Sequence, residues 1–220
     1  HVHIAYHPVG PQLAAAGVAA VVDHAAPESA LAKEHGLDVL FAGPMLAAPG
    51  GYPTTSWGRD GYGEVVRSSD DARAFVDRMG GRDAGLLKLS FGAGPDLPDD
   101  VLEAAVVRAH ASGMKVAAHA LAAEGADRAA ALGVDVLSHT PVQALGDAQT
   151  KGWAGRAVIS TLGAFGGSAA AVANLRALRE AGATVLYGTD LGNTRRARID
   201  EVEVRLLQEA GMDGAAILEA

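Results

Sequence analysis

Eight short apolar runs, rich in β-branched residues, recur along this chain, separated by stretches rich in Ala and Leu. They are HVHI at the start, AAVVD at 19–23, DVLFA at 38–42, then GLLKLSFG, KVAAHAL, VDVLSHT, GRAVIST and ATVLYGTD, the last five centred on Leu87, Ala117, Val136, Val158 and Leu186. Each is apolar almost throughout, the pattern of a strand covered on both faces. Such strands alternating with helices build a parallel sheet, because each return to the sheet needs a crossover. Eight repeats predict a (β/α)8 TIM barrel, one α/β domain over residues 1–220. A doubly wound open sheet is the alternative, but no Gly-rich phosphate loop follows the first run to support it.

The helical stretches carry their own punctuation. Ser68 and Ser69 stand at the N-cap of DDARAFVDRM, and Ser168 stands at that of AAAVANLRALREAG. Pro98 falls in the first turn of LPDDVLEAAVVRAHASG and Gly113 ends it; Gly133, Gly182 and Gly211 end three further helices. Residues 43–69 break the rhythm as a long Gly/Pro-rich loop that carries Tyr52, Trp57, Arg59 and Tyr62. A loop of that length inside a compact domain usually serves function, and after a barrel strand it lies at the face where active sites form. These four side chains are read as a lid or as a packed loop.

Composition removes several classes of function. The net charge is −8 with the two signs interspersed, so no basic stripe invites nucleic acid. No apolar run is long enough to span a membrane. Cysteine is absent, so any metal must be held by His, Asp, Glu or a modified Lys. The lack of Cys fits a cytoplasmic protein, and a homo-oligomer is compatible with the reading.

Ionisable residues sit where barrel strands should end. His1 and His3 are two apart and share a strand face. Lys88 interrupts LLKLS, His119 ends KVAAH, His139 ends VDVLSH, and Asp190 ends VLYGTD. In a barrel these ends converge, and a set of imidazoles and a carboxylate is what a catalytic zinc takes while keeping a position open. Two divalent metals would need a bridging anion. A lysine in a barrel interior is costly as an ammonium, whereas its neutral amine can add CO2 and become an anionic carbamate. A core lysine with a carboxylate partner is the plainer reading of Lys88, as hydrogen-bonded core histidines are of His119 and His139, and an N-cap is of Asp190.

The ordered set HVH, LLKLS, AAHA, LSHT and YGTD resembles the amidohydrolase superfamily of metal-dependent hydrolases. It is closest to the imidazolonepropionase-like and Xaa-Pro dipeptidase (prolidase-like) members. The resemblance implies that His1, His3 and Asp190 bind the more buried metal, that His119 and His139 bind the second, and that carboxylated Lys88 bridges them. It implies zinc as the metal, and hydrolysis of an amide or peptide-type C–N bond by a metal-bridging hydroxide. Asp190 would be the general base and proton shuttle, and a small amide or dipeptide-like molecule the substrate. Family members also carry a small β-sandwich, which this chain lacks, so the chain is expected to be a barrel truncated at both ends. Where prolidase-like members often have Gly-Gly-His, this chain has GGY with Tyr52, which puts their substrate preference in doubt here.

Other residues enter with looser roles. His7, Tyr52, Trp57 and Arg195 are candidate substrate contacts; Asp23 and His24 are candidates to orient a ligand; His35, His110 and Lys115 are read as solvated. The alternatives to a binuclear hydrolase are a mononuclear imidazolonepropionase-like cyclic amidohydrolase or deaminase, and a metal-stabilised barrel without catalysis.

Overall fold

A computed structural model describes residues 1–92 and 94–220. The strands are β1 (Ala20–Asp23), β2 (Asp38–Phe41), β3 (Met45–Ala47), β4 (Gly63–Val65), β5 (Leu86–Phe91), β6 (Lys115–Ala120), β7 (Val136–Leu137), β8 (Ala157–Ile159) and β9 (Thr184–Leu186). Seven of them form one parallel sheet in the order β4–β3–β5–β6–β7–β8–β9. β1 and β2 form a second parallel pair, in register from Ala20 opposite Asp38 to Asp23 opposite Phe41. All six residues of β5 are buried, as are all of β6 after Lys115, so these two strands are covered on both faces.

The helices are α1 (Gly10–Ala15), α2 (Ser69–Gly80), α3 (Asp99–Ala111), α4 (Ala123–Ala131), α5 (Asp147–Lys151), α6 (Ala169–Glu180), α7 (Glu201–Glu209) and α8 (Gly214–Glu219). Two of the expected caps form as side-chain hydrogen bonds: Ser68 accepts from Asp71 N at 3.1 Å and Ser168 from Ala171 N at 3.2 Å. Pro98 is the residue before α3, one position earlier than its sequence suggests. None of the described helices is long and apolar enough to cross a membrane.

The main core lies between the seven-stranded sheet and its helices. Phe75, Val76, Leu102 and Val106 from α2 and α3 pack with Leu87, Leu89 and Phe91 of β5, and Trp153, Val158 and Leu175 extend the same core. Burying one such side chain stabilises the fold by about 1.5–3 kcal/mol. A smaller core of Val2, Ile4, Leu13, Phe41 and Leu191 fastens the chain's first residues to the β1–β2 pair.

Two expectations need correction. HVHI forms no strand; Val2 alone makes parallel bridges, to Asp23 on one side and to Leu191 on the other. Residues 43–69 are not an unstructured loop, because β3 and β4 lie inside them and β3 pairs with β5 through Leu46 and Leu89. A buried triplet such as Met45, Leu46 and Ala47 is too short to display a period, so only its tertiary partner reveals it. β7 is also short: it stops at Leu137, and His139 lies beyond it.

Candidate metal centre

His1 and His3 flank the bridged Val2, so both rings leave the same face of an extended segment. Backbone bonds tie this segment to both neighbours. Val2 N donates to Val22 O, His3 N donates to Leu191 O, and Asp190 N donates to His1 O, at 3.0, 2.6 and 3.1 Å. Asp190 Oδ1 is thereby brought to 3.4 Å from His1 Nε2 and 3.2 Å from His3 Nε2. The two imidazole Nε2 atoms are 3.4 Å apart, and ligand atoms of the three residues all lie within 4.8 Å of one another.

The chemistry of this triad asks for a cation. His1 Nδ1 lies 2.8 Å from the Ser138 carbonyl, so that ring nitrogen donates and Nε2 keeps its lone pair facing inward. Asp190 Oδ2 accepts from Asn193 Nδ2 at 2.7 Å, while among the described residues the buried Oδ1 has no hydrogen-bond partner. A buried carboxylate oxygen left without a donor is costly, unless a cation supplies what a donor would. Burial by itself would raise the Asp190 pKa. The His3 side chain and the Asn193 amide more than offset it and hold the carboxyl ionised, well below the usual range. The backbone of Asp190 is left-handed at φ 52°, a conformation Asp tolerates better than most residues, and Asn193 N and Thr194 N both donate to its carbonyl.

Lys88, His119 and His139 come to the same place from β5, β6 and the exit of β7. Lys88 is 1% exposed, and its Nζ lies 3.4 Å from His24 Nδ1. Burial pushes the Lys88 ammonium down to about 7, against the pull of Asp190 and Asp23. His24 Nδ1 also lies 3.2 Å from Ser138 Oγ, and the His24 ring stacks on His1 at 3.9 Å. The rings of His1 and His139 are 4.7 Å apart and those of His139 and His119 are 4.8 Å apart. Burial pushes His119 down to about 3 and His139 well below its ordinary value, so both are neutral imidazoles with a lone pair to offer.

No family model and no curated protein matches the sequence. Solved structures do match in three dimensions. A Xaa-Pro dipeptidase with methionine bound in its active site superposes with TM-score 0.76 at 22% identity, over 98% of this chain and 64% of that one. The chain shares its fold with this dipeptidase. The ochratoxinase of A. niger shares it with TM-score 0.75 at 17% identity, over 97% of this chain and 60% of its own. A bottromycin amidohydrolase shares it with TM-score 0.74 at 18% identity, over all of this chain and 64% of its own. The chain thus spans less than two thirds of the length of these relatives.

On this shared fold the candidate substrate contacts fall unevenly. Trp57 packs on His3 at 5.0 Å and donates through Nε1 to the Tyr52 hydroxyl at 2.8 Å; Tyr52 stacks on His119 at 4.7 Å. Burial pushes the Tyr52 phenol up to about 12, so it is neutral. Arg195 joins His3, Tyr6, Trp57, Gly192 and Asn193 around a recess of about 120 Å³. Among the described residues, His7 does not line this recess but lies 3.4 Å from Arg195, and Arg59 donates to the Thr55 carbonyl. A larger apolar cavity, about 610 Å³, is lined by His1 but otherwise mainly by residues around β1, β2 and β9.

Some supporting residues carried little or no sequence signal. Asp23 accepts from Ala5 N and Ala25 N at 2.9 and 3.0 Å and stands 3.9 Å from His3 Nδ1. Its position at the end of β1 was a cue. Ser138 and Tyr6 look like ordinary residues in sequence, and nothing but the fold sets them beside the ligands. His110 and Lys115 pair with Asp135 at the surface, and His35 bonds the Ala30 carbonyl, all three away from the site.

Proposed function

We propose that this chain is the catalytic core of a metal-dependent amidohydrolase that cleaves the amide bond of a small dipeptide-like or N-acyl amino acid substrate. The observation that carries the reading is Asp190 Oδ1, buried without a donor between two imidazole Nε2 atoms, with three neutral or near-neutral nitrogen bases beside it. In this reading the parallel segments close into a (β/α)8 barrel: Val2 bridges β1 and the exit of β9, and Gly85 N, just before β5, donates to Phe41 O of β2.

His1, His3 and Asp190 would hold one divalent ion and His119 and His139 a second, zinc in both places by the nature of the donors. Such ions, when bound, polarise a scissile carbonyl and make water nucleophilic near neutral pH. The rest is done by the chain's own side chains. The Lys88 amine, neutral above about pH 7, would form an N–C bond to CO2, release a proton and become the anionic carbamate between the two ligand groups. Asp190 Oδ1 would take up the proton released during attack and return it to the departing amine nitrogen. Trp57 and Tyr52, packed on His3 and His119, would exclude bulk water, and the Arg195 guanidinium would pair with a substrate carboxylate at the mouth.

Metal analysis of the purified chain should find about two ions per chain. Lys88→Ala should lose the second ion and the release of amino acid from dipeptides and N-acyl amino acids, with short carboxylic acids restoring part of it. One observation favours a mononuclear alternative: among the described residues the tight triad comprises His1, His3 and Asp190 alone. One ion per chain with Lys88 dispensable would establish that alternative, a cyclic amidohydrolase or deaminase.

A further inference from the structure

Beyond the ligands stands a buried carboxylate that the proposed chemistry does not use. Glu203 on α7 is 1% exposed, and both its oxygens are taken by consecutive backbone amides: Leu162 N donates to Oε1 at 2.9 Å and Gly163 N to Oε2 at 2.7 Å. These amides open the short 3₁₀ turn Gly163–Phe165 that follows β8. The residue just before them is Thr161, a β-branched residue at φ 42°. That conformation is strained for a β-branched residue and persists only where the surroundings impose it. Here they do so from both sides, because Thr161 N donates to Gly188 O at 3.0 Å and Glu203 fixes the next two peptides.

The strained residue faces the site. Thr161 Oγ1 lies 3.2 Å from His139 Nδ1, and Phe165, at the far end of the same turn, packs edge-on against the His139 ring at 4.9 Å. One carboxylate therefore fixes the turn that supplies both contacts. We infer that Glu203 is a positioning residue: it clamps the β8 exit turn so that the Thr161 hydroxyl accepts from His139 Nδ1–H and leaves His139 Nε2 free as a metal-ligating nitrogen.

The inference rests on the proposed role of His139 as a ligand, and the test separates the two. In ¹⁵N-labelled, metal-free protein, the ring nitrogens of His139 should report the Nδ1–H tautomer. Glu203→Gln, which can accept from only one of the two amides, and Thr161→Val, which lacks the acceptor, should both shift His139 toward the Nε2–H form. Thr161→Ser should keep the wild-type tautomer. Co²⁺ titration should show the weaker of two sites loosened about 10–100-fold in Glu203→Gln and in Thr161→Val. The double variant should be no weaker than the worse single one, because both act through one contact.

An unchanged His139 tautomer in folded Glu203→Gln, with only Tm lowered, would overturn the inference and leave Glu203 a structural clamp. Additive losses in the double variant would overturn it as well. If Glu203→Gln does not fold, the Thr161→Val and Thr161→Ser pair decides: equal tautomers in the two would refute the contact on which the inference depends. Wild-type protein that binds no Co²⁺ while its His139 tautomer still responds as described would sink the proposed function and leave the positioning intact.

Discussion

The two halves of the candidate metal centre are built in opposite ways. Lys88 and His119 lie within β5 and β6, which pair over six consecutive residues from Leu86 opposite Lys115 to Phe91 opposite Ala120. His1 and His3 hang from one residue, Val2, which has a bridge on each side. Yet the thinly supported half still gathers ligand atoms of three residues within 4.8 Å of one another. Spacing explains this. His1 and His3 share one segment, and Asp190 N bonds directly to His1 O, so three ligands come from two adjacent backbones. In the other half each strand contributes one ligand, and neighbouring strands stand about 4.8 Å apart before any side chain begins. Long, well-paired strands fix where Lys88 and His119 are rooted; two adjacent backbones gather His1, His3 and Asp190.

Asp190→Ala should break this contrast most severely. It removes the carboxylate shared by both imidazoles, so the triad ion should be lost and hydrolysis should fall on the order of 10²–10⁴-fold. Metal analysis then shows whether the other half keeps its ion; loss of both would mean that the two halves are one cluster.

Lys88 tests the better-paired half through pH. Its ammonium titrates at about 7 in the fold against 10.5 when free, so between those values the unfolded chain binds a proton that the folded chain does not. Stability of the metal-free, CO2-free protein should therefore rise with pH from about 7 towards about 10.5 by this group, with no contribution to the slope outside that window. Lys88→Met should flatten the rise, as melting curves at about pH 7 and about pH 9.5 would show; an equal rise in both proteins would refute the assignment.

Asp23→Asn is a gentler probe of the thinly supported half. It replaces one of two carboxylate oxygens that accept from Ala5 N and Ala25 N beside His3. The triad ion should bind about 10–100-fold more weakly, measured by chelator competition, with the second ion unaffected. Ser68→Ala, far from both halves, should cost about 1 kcal/mol through loss of the α2 cap and leave metal content unchanged. A change in metal content there would show that the sheet's helices tune the site.

How legible each part was follows from where its information resides. Lys88 and His119 stood out because an ionisable residue inside an apolar run is expensive and therefore conspicuous. Asp190 and the HVH pair stood out for the same reason at strand ends. Glu203 and Thr161 did not, since a Glu on an amphipathic helix and a Thr after a strand are ordinary. Their meaning comes from a bond between Leu162 and Glu203 that closes 41 positions of sequence. β3 and β4 escaped for a related reason: three residues carry no period, and their pairing across 18 positions is not a local property.

By itself, the sequence determined the parallel α/β alternation, the positions of the long strands and capped helices, and which six side chains are candidates to hold metal. Local periodicity, cap chemistry and the cost of charge in an apolar run are all written within a few neighbouring residues. Only the tertiary structure decided that His1 and His3 would rest on a single bridged residue, that Asp190 Oδ1 would be left without a donor, and that Glu203 would hold the turn behind His139. Those facts depend on hydrogen bonds and burial between segments distant along the chain, and such partners exist only once the chain is packed.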